Sequence, residues 1–184
     1  MTNEKHYAQL RPLRMDDLDN MMEWINNTEI IINFQNFDMN ITREQEQKFL
    51  ERILASESDR MFAVEDENGI YLGNAGIHGI SSKNKLGRLA LIIGKKYFQG
   101  KGYGQSALKQ LLKYSFEDCQ LNKVWLVVMK ENSKARHIYE KTGFVVEGEL
   151  SEEYADRTGN FHDMIRMRML RREYEQLKTK GGLK

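Results

Sequence analysis

One stretch limits the possible folds of this chain more than any other. The apolar run Leu91-Ile92-Ile93 is followed by Gln99-Gly100-Lys101-Gly102-Tyr103-Gly104, and then by Ala107, Leu108, Leu111, Leu112, Ser115 and Phe116 at helical spacing. The pattern predicts a buried strand, a glycine-rich loop and an amphipathic helix. Glycines at such a junction let backbone N–H groups approach an anion closely, and the helix N-terminus adds a favourable dipole. The segment therefore reads as a phosphate cradle. No Gly-Lys-Ser/Thr closes it, so it is not a Walker loop, and Gln105 stands where a dinucleotide fingerprint needs its third glycine. Taken alone, the three glycines also fit a flexible loop that caps a helix.

The flanking elements alternate between strand and helix patterns. Tyr7 to Leu13 reads as a strand, and Asp16 and Asp17 offer a cap for a helix carrying Leu18, Met21, Met22, Trp24 and Ile25. Thr42-Arg43-Glu44-Gln45 has the form of a capping box, with Phe49, Leu50, Ile53 and Leu54 on the helical face behind it. Arg60 to Asp66 and Ile70 to Ile80 form a hairpin around Asn68-Gly69, and Leu86 to Ile93 adds a third strand after the polar turn Ser81 to Lys85. Lys123 to Met129 reads as a buried strand, Asn132 to Lys141 as a short helix, and Phe144 to Leu150 and Phe161 to Leu170 as two further strands. The class is mixed α+β. The tail 171–184, which ends Lys180-Gly181-Gly182-Leu183-Lys184, reads as loosely ordered.

Composition closes several other routes. The 184 residues are 40% hydrophobic and 30% charged, with a formal net charge of +1, which suits one folded domain (1–184, core about 7–170) and gives no electrostatic footprint for nucleic acid. A single cysteine, Cys119, rules out an intrachain disulfide and fits a reducing cytoplasm. His6, His78, His137 and His162 lie singly, as surface residues of strands or helices rather than ligands, so no metal is expected. The polar N-terminus and the lack of a run of about 18 apolar residues give no sign of export or membrane insertion.

A second block, Asn132-Ser133-Lys134-Ala135-Arg136-His137-Ile138-Tyr139-Glu140-Lys141-Thr142-Gly143-Phe144, has the form Asn-x-x-Ala-x-x-x-Tyr-x-x-x-Gly-Phe, and Gln99, Gly102 and Gly104 have the form Gln/Arg-x-x-Gly-x-Gly/Ala. In these two motifs, their order and their separation the chain resembles the GNAT superfamily of N-acetyltransferases, from about Leu10 to Leu170. The resemblance implies the GNAT fold: a mixed central sheet of about seven strands with an antiparallel N-terminal meander, strands four and five splayed apart, and about four helices.

It also implies roles. Acetyl-CoA would be the co-substrate, its pyrophosphate held by Gln99, Gly100, Lys101, Gly102, Tyr103 and Gly104, and its pantetheine arm and thioester by the backbone of Leu91, Ile92 and Ile93, whose side chains would be core. Asn132 would hydrogen-bond the co-substrate, although asparagine there is also a good helix cap. Tyr139 would protonate the departing sulfur, a step that suits a phenol of pKa about 10. Many members carry a glutamate on strand four that acts on the amine; Arg88-Leu89-Ala90 has no carboxylate there, which leaves the base open. Relay through water by Glu147, Glu149, Glu152 or Glu153 is one route. Cys119 has no identifiable base partner and reads as a buried small residue.

For the acceptor, the C-terminal half looks most like spermidine and diamine acetyltransferases and their relatives acting on ribosomal protein N-termini or amino-sugar nucleotides. A polyamine calls for carboxylates along a groove. Asn33 to Asp38 is less acidic than the spermidine enzymes lead one to expect, whereas Trp24, Phe34, Phe37 and Arg88 would serve an amino-sugar nucleotide. A coenzyme A-binding module without catalysis is a further alternative, against which Tyr139 argues. Members of the family often pair, so a homodimer is expected.

Overall fold

The computed structural model describes residues 7–31, 40–156 and 159–182. Seven strands form one sheet in the order β1-β2-β3-β4-β5-β7-β6. Strands β1 (Gln9–Pro12), β2 (Arg60–Glu65), β3 (Tyr71–Ser81) and β4 (Leu86–Ile93) make the antiparallel meander that the alternating pattern and the Asn68-Gly69 turn predict. Strand β5 (Lys123–Met129) lies parallel to β4 and antiparallel to β7 (Phe161–Leu170), which carries β6 (Val145–Ala155) on the edge.

Helices cover both faces. Helices α1 (Leu18–Ile25), α2 (Thr28–Ile31) and α3 (Arg43–Leu54) pack Leu18, Met21, Trp24, Ile25 and Leu50 against Ala63, Tyr71 and Ile92. On the other face α4 (Tyr103–Lys113) lays Ala107, Leu108, Leu111 and Leu112 on Leu72, Ile77, Val124 and Met167. Each leucine or phenylalanine sealed in this way contributes about 1.5–3 kcal/mol. A bulge in β3 sets which residues reach which face. Glu65 pairs with Tyr71 while Val64 pairs with Gly73, so Leu72 is an extra residue that resets the alternation. Asn74 thereby shares the α1–α3 face with Tyr71, whose hydroxyl donates to the Asn74 side-chain oxygen Oδ1 at 2.5 Å.

Three expectations need correction. The capping box at α3 is present, with Thr42 accepting from the Gln45 amide. At α1, however, a short 3-10 turn precedes the helix, and Asp17 accepts from the Arg14 amide at 2.8 Å and from the Arg11 guanidinium at 2.7 and 2.8 Å. The aspartate locks the turn to β1 rather than capping α1.

Six α-helices are present among the described residues instead of about four, α5 (Ser133–Thr142) being the fifth.

The third correction concerns the tail, which is not loose: Arg171–Thr179 is helix α6. Its Tyr174 is 2% exposed and stacks on Phe116 at 4.8 Å, and its hydroxyl donates to Glu117 at 2.7 Å. The Arg171 guanidinium donates to the carbonyls of Phe116 and Leu121. Tyr174→Ala opens a cavity against Phe116 and strands these contacts, and is expected to lower unfolding free energy by about 3 kcal/mol in urea titration. A loss below about 1 kcal/mol would mean that α6 contributes little to the fold.

Candidate active site

Strands β4 and β5 pair over only three rows, Leu86 with Lys123, Gly87 with Val124 and Arg88 with Trp125. Beyond Arg88, β4 stays on β3 as far as Ile93, and β5 stays on β7 as far as Met129. The two strands part while each remains held on its outer edge. A cleft of about 1050 Å³ fills the wedge, at the upper end of the size of small-molecule sites.

The predicted residues gather around this wedge. Leu91, Ile92, Ile93, Gln99, Gly100, Gly102, Gly104, Asn132 and Tyr139 all line the cleft. Of the three β4 side chains expected in the core, Ile92 is buried, while Leu91 and Ile93 are half-buried. Gly102 caps α4 at φ +95°, and Gly100 adopts φ +76°, conformations that L side chains adopt at a cost. A Cβ at either would meet open space within 4 Å, so the two glycines are there for their backbone conformation, which leaves the start of α4 uncovered. This is the geometry in which backbone amides and the helix dipole hold a phosphate. Gln99 steadies the loop, its side-chain amide donating to the Ile93 carbonyl at 2.8 Å. Two loop residues send their side chains elsewhere. Lys101 lies over the Tyr97 ring at 3.2 Å, and Tyr103 is buried beside Phe98 with its hydroxyl 3.3 Å from Glu67, so any contribution of these two is through the backbone.

Asn132 caps α5, its side-chain oxygen accepting from the Ala135 amide at 3.1 Å. Tyr139 follows on that helix and packs against Phe144, ring centroids 5.8 Å apart. Burial pushes its phenol up to about 12, so it keeps its proton at neutral pH. Cys119 is half-buried, and burial raises its thiol, the opposite of a nucleophile's environment.

The sequence reading missed two groups. Glu46 lines the cleft from α3, is 3% exposed, and its Oε1 has no hydrogen-bond partner among the described residues. Burial pushes its carboxyl up to about 7. The signal was its position: Glu46, Leu50 and Ile53 fall at i, i+4 and i+7, so a carboxylate interrupts the apolar stripe of α3. His78 also lines the cleft, half-buried rather than on the surface, with Nδ1 3.0 Å from Asp59 Oδ1. Trp24 and Arg88 line the same space, whereas Phe34, Phe37 and the stretch Asn33 to Asp38 lie outside the described residues. The glutamates considered for proton relay are not brought to the cleft. On β6, Glu147 pairs with Lys123 and Arg166, and Glu149 with Lys130, while Glu152 and Glu153 are exposed.

No helix among the described residues is long and apolar enough to cross a membrane. A family model described as acetyltransferase (GNAT) domain matches residues 8–145. A spermidine N(1)-acetyltransferase of Escherichia coli (strain K12) is 33% identical over 183 residues, covering 96% of this chain and 93% of the relative. One from Vibrio cholerae is 30% identical over 165 residues, covering 90% and 94% respectively. The crystal structure of spermidine N-acetyltransferase from Vibrio cholerae in complex with CoA and spermine aligns with a TM-score of 0.85 at 30% identity, over 91% of this chain and 98% of that one.

The unpaired carboxyl on α3 leaves a pH signature. Glu46 ionises near 4.5 when unfolded and at about 7 when folded, so through that interval the folded state holds a proton the unfolded state has released. Stability from this group therefore falls as pH rises through the interval and stays lost above it. Glu46→Gln removes the penalty, on the order of 2 kcal/mol. Thermal melts should place the variant several degrees above wild type at about pH 8, the gap shrinking towards pH 5; a gap independent of pH would contradict the assignment.

Proposed function

Since the chain belongs to the GNAT acetyltransferase family and is an acetyl-CoA-dependent N-acetyltransferase, we propose that its acceptor is a polyamine such as spermidine or spermine, acetylated by direct transfer in a ternary complex. The observation that carries this reading is Glu46. A buried carboxylate without a partner is costly, and an ammonium entering the cleft offsets that cost by pairing with it. A multiply charged amine can present one cationic nitrogen to Glu46 while another reaches the thioester. The named activities of the relatives point the same way.

The remaining roles follow from the wedge. The backbone of Leu91 to Ile93 has one edge turned to the cleft, which suits the amides of a pantetheine arm, with the thioester carbonyl between β4 and β5. The amides around Gly100, Gly102 and Gly104 take the pyrophosphate, with Gln99 bracing the loop. Lys101 and Tyr103 contribute backbone, and Asn132 orients α5. Attack by an uncharged amine makes the C–N bond, and the returning carbonyl pair expels sulfur. Tyr139 donates to that sulfur and is reprotonated from the acceptor nitrogen through water.

Release of free thiol from acetyl-CoA, measured across polyamines, amino-sugar nucleotides, aminoglycosides and N-terminal peptides, should show saturable turnover with spermidine or spermine. In Glu46→Gln the spermidine KM should rise roughly tenfold while affinity for acetyl-CoA alone is unchanged. Turnover confined to sugar nucleotides or peptides would refute the polyamine reading. Tyr139→Phe should lower kcat on the order of 100-fold and spare acetyl-CoA affinity measured by calorimetry; undiminished kcat would remove Tyr139 from the mechanism.

A further inference from the structure

An amine arriving as ammonium must lose a proton before it can attack a thioester, and Arg88-Leu89-Ala90 offers no carboxylate to take it. Several titratable groups line the cleft. Glu29 is paired with Lys96 on the exposed rim, His137 is exposed on α5, and Tyr139 keeps its proton. Glu46 sits on α3, which packs on α1 and β2. His78 lies on the sheet row at which β4 and β5 separate: it sits directly across the ladder from Arg88, the last residue of β4 that pairs with β5.

We propose that His78 is the general base that accepts the acceptor's proton, directly or through one water, and that Asp59 is the residue that positions it. The assignment rests on the acetyl-transfer reading above. Asp59 holds the ring through Nδ1 at 3.0 Å, and is itself held by the Ser56 hydroxyl at 2.6 Å and the Gly79 amide at 3.3 Å. A carboxylate can only accept, so the proton is on Nδ1, and the lone pair is on Nε2, at the other edge of a ring that lines the cleft. The charged groups facing the ring are Asp59 ahead of β2, Arg88 on β4 and Arg52 on α3. Burial, Arg88 and Arg52 outweigh Asp59 and hold the imidazole below its ordinary range, so it is neutral and able to accept at pH 7.

The protons balance. The ammonium gives one proton to Nε2, which passes it to solvent. The free amine forms the C–N bond as the carbonyl pair moves to oxygen. When that pair returns, the C–S bond breaks and sulfur takes the Tyr139 proton, and the surplus proton on nitrogen restores Tyr139 through water. The products are an acetamide and coenzyme A thiol.

The experiment is the pH profile of kcat/KM for the acceptor, from about pH 5.5 to about 9.5, in wild type, His78→Gln, His78→Ala and Asp59→Asn. Wild type should show an acidic limb. His78→Gln should lose about 100-fold near pH 7 and lose that limb, with the deficit narrowing as pH approaches the amine's own pKa. Added imidazole should restore part of the activity of His78→Ala, and Asp59→Asn should displace the limb. Acetyl-CoA affinity should be unchanged in every variant, which a merely structural histidine would also allow; the limb and the imidazole response separate the two. A His78→Gln enzyme within about threefold of wild type, or one that is slow but keeps the same limb and whose His78→Ala counterpart ignores imidazole, would overturn the assignment. Wild type that releases no thiol with any amine would defeat the transfer reading itself, and the base with it.

Discussion

The parting of β4 from β5 after three rows is the constraint on which the rest of the molecule depends. Backbone groups on facing strand edges are obligatory hydrogen-bonding groups, and leaving a stretch of them unpaired inside a protein is expensive. Here the separation is sustained because each strand is anchored on its far side, β4 by β3 up to Ile93 and β5 by β7 up to Met129. The gap is accordingly a place for a ligand whose own amides and carbonyl can complete the edge. The start of α4 stands at the same end of β4, so in the proposed reading an extended thioester reaching from the wedge to the helix N-terminus would meet peptide groups at one end and an anion site at the other.

The cleft face that carries Asn74 and His78 is arranged by a second backbone irregularity. Without the extra Leu72 in β3, the residues that follow would change faces, and Asn74 and His78 would point into the α4 core instead of the cleft. The bulge thus couples a core position to a site position. Gly94 supports the same face, because a Cβ there would run into the Trp24 ring that forms one wall.

Much of this is legible in the amino-acid sequence alone. The hairpin at Asn68-Gly69, the capping box at Thr42 and the strand, loop and helix around Gly102 are local patterns whose physics is decided within a few residues. What escapes a reading of the sequence depends on partners distant along the chain. Helix α6 offers only Tyr174 and Leu177 as apolar contacts and runs into Gly181-Gly182, so its composition looks like a fraying tail. It is ordered by Phe116 and Glu117, which lie more than fifty residues earlier. His78 has its meaning only through Asp59, nineteen residues away. Glu46 is the more readable omission, since a carboxylate on an apolar helical stripe is visible in the sequence once the stripe is drawn.

Arg88, in the stretch Arg88-Leu89-Ala90 that offers no carboxylate, has a physical logic alongside a histidine. On the proposed mechanism, a fixed positive charge near the reacting nitrogen disfavours that nitrogen's ammonium form, just as it adds to burial in holding His78 below its ordinary range. At an effective dielectric of about 20, one unit charge several ångströms away shifts such an equilibrium by a few kcal/mol. The same arginine therefore narrows the gap between a weak imidazole base and a strongly basic amine, which a carboxylate at that position would widen. The cost would be repulsion of a cationic acceptor at the sheet, and in the proposed reading Glu46, lining the same cleft from α3, supplies the attraction that a second ammonium can use. In the proposed reading, an acceptor with two separated nitrogens satisfies both ends, uncharged beside Arg88 and charged beside Glu46, whereas a simple monoamine must choose between them.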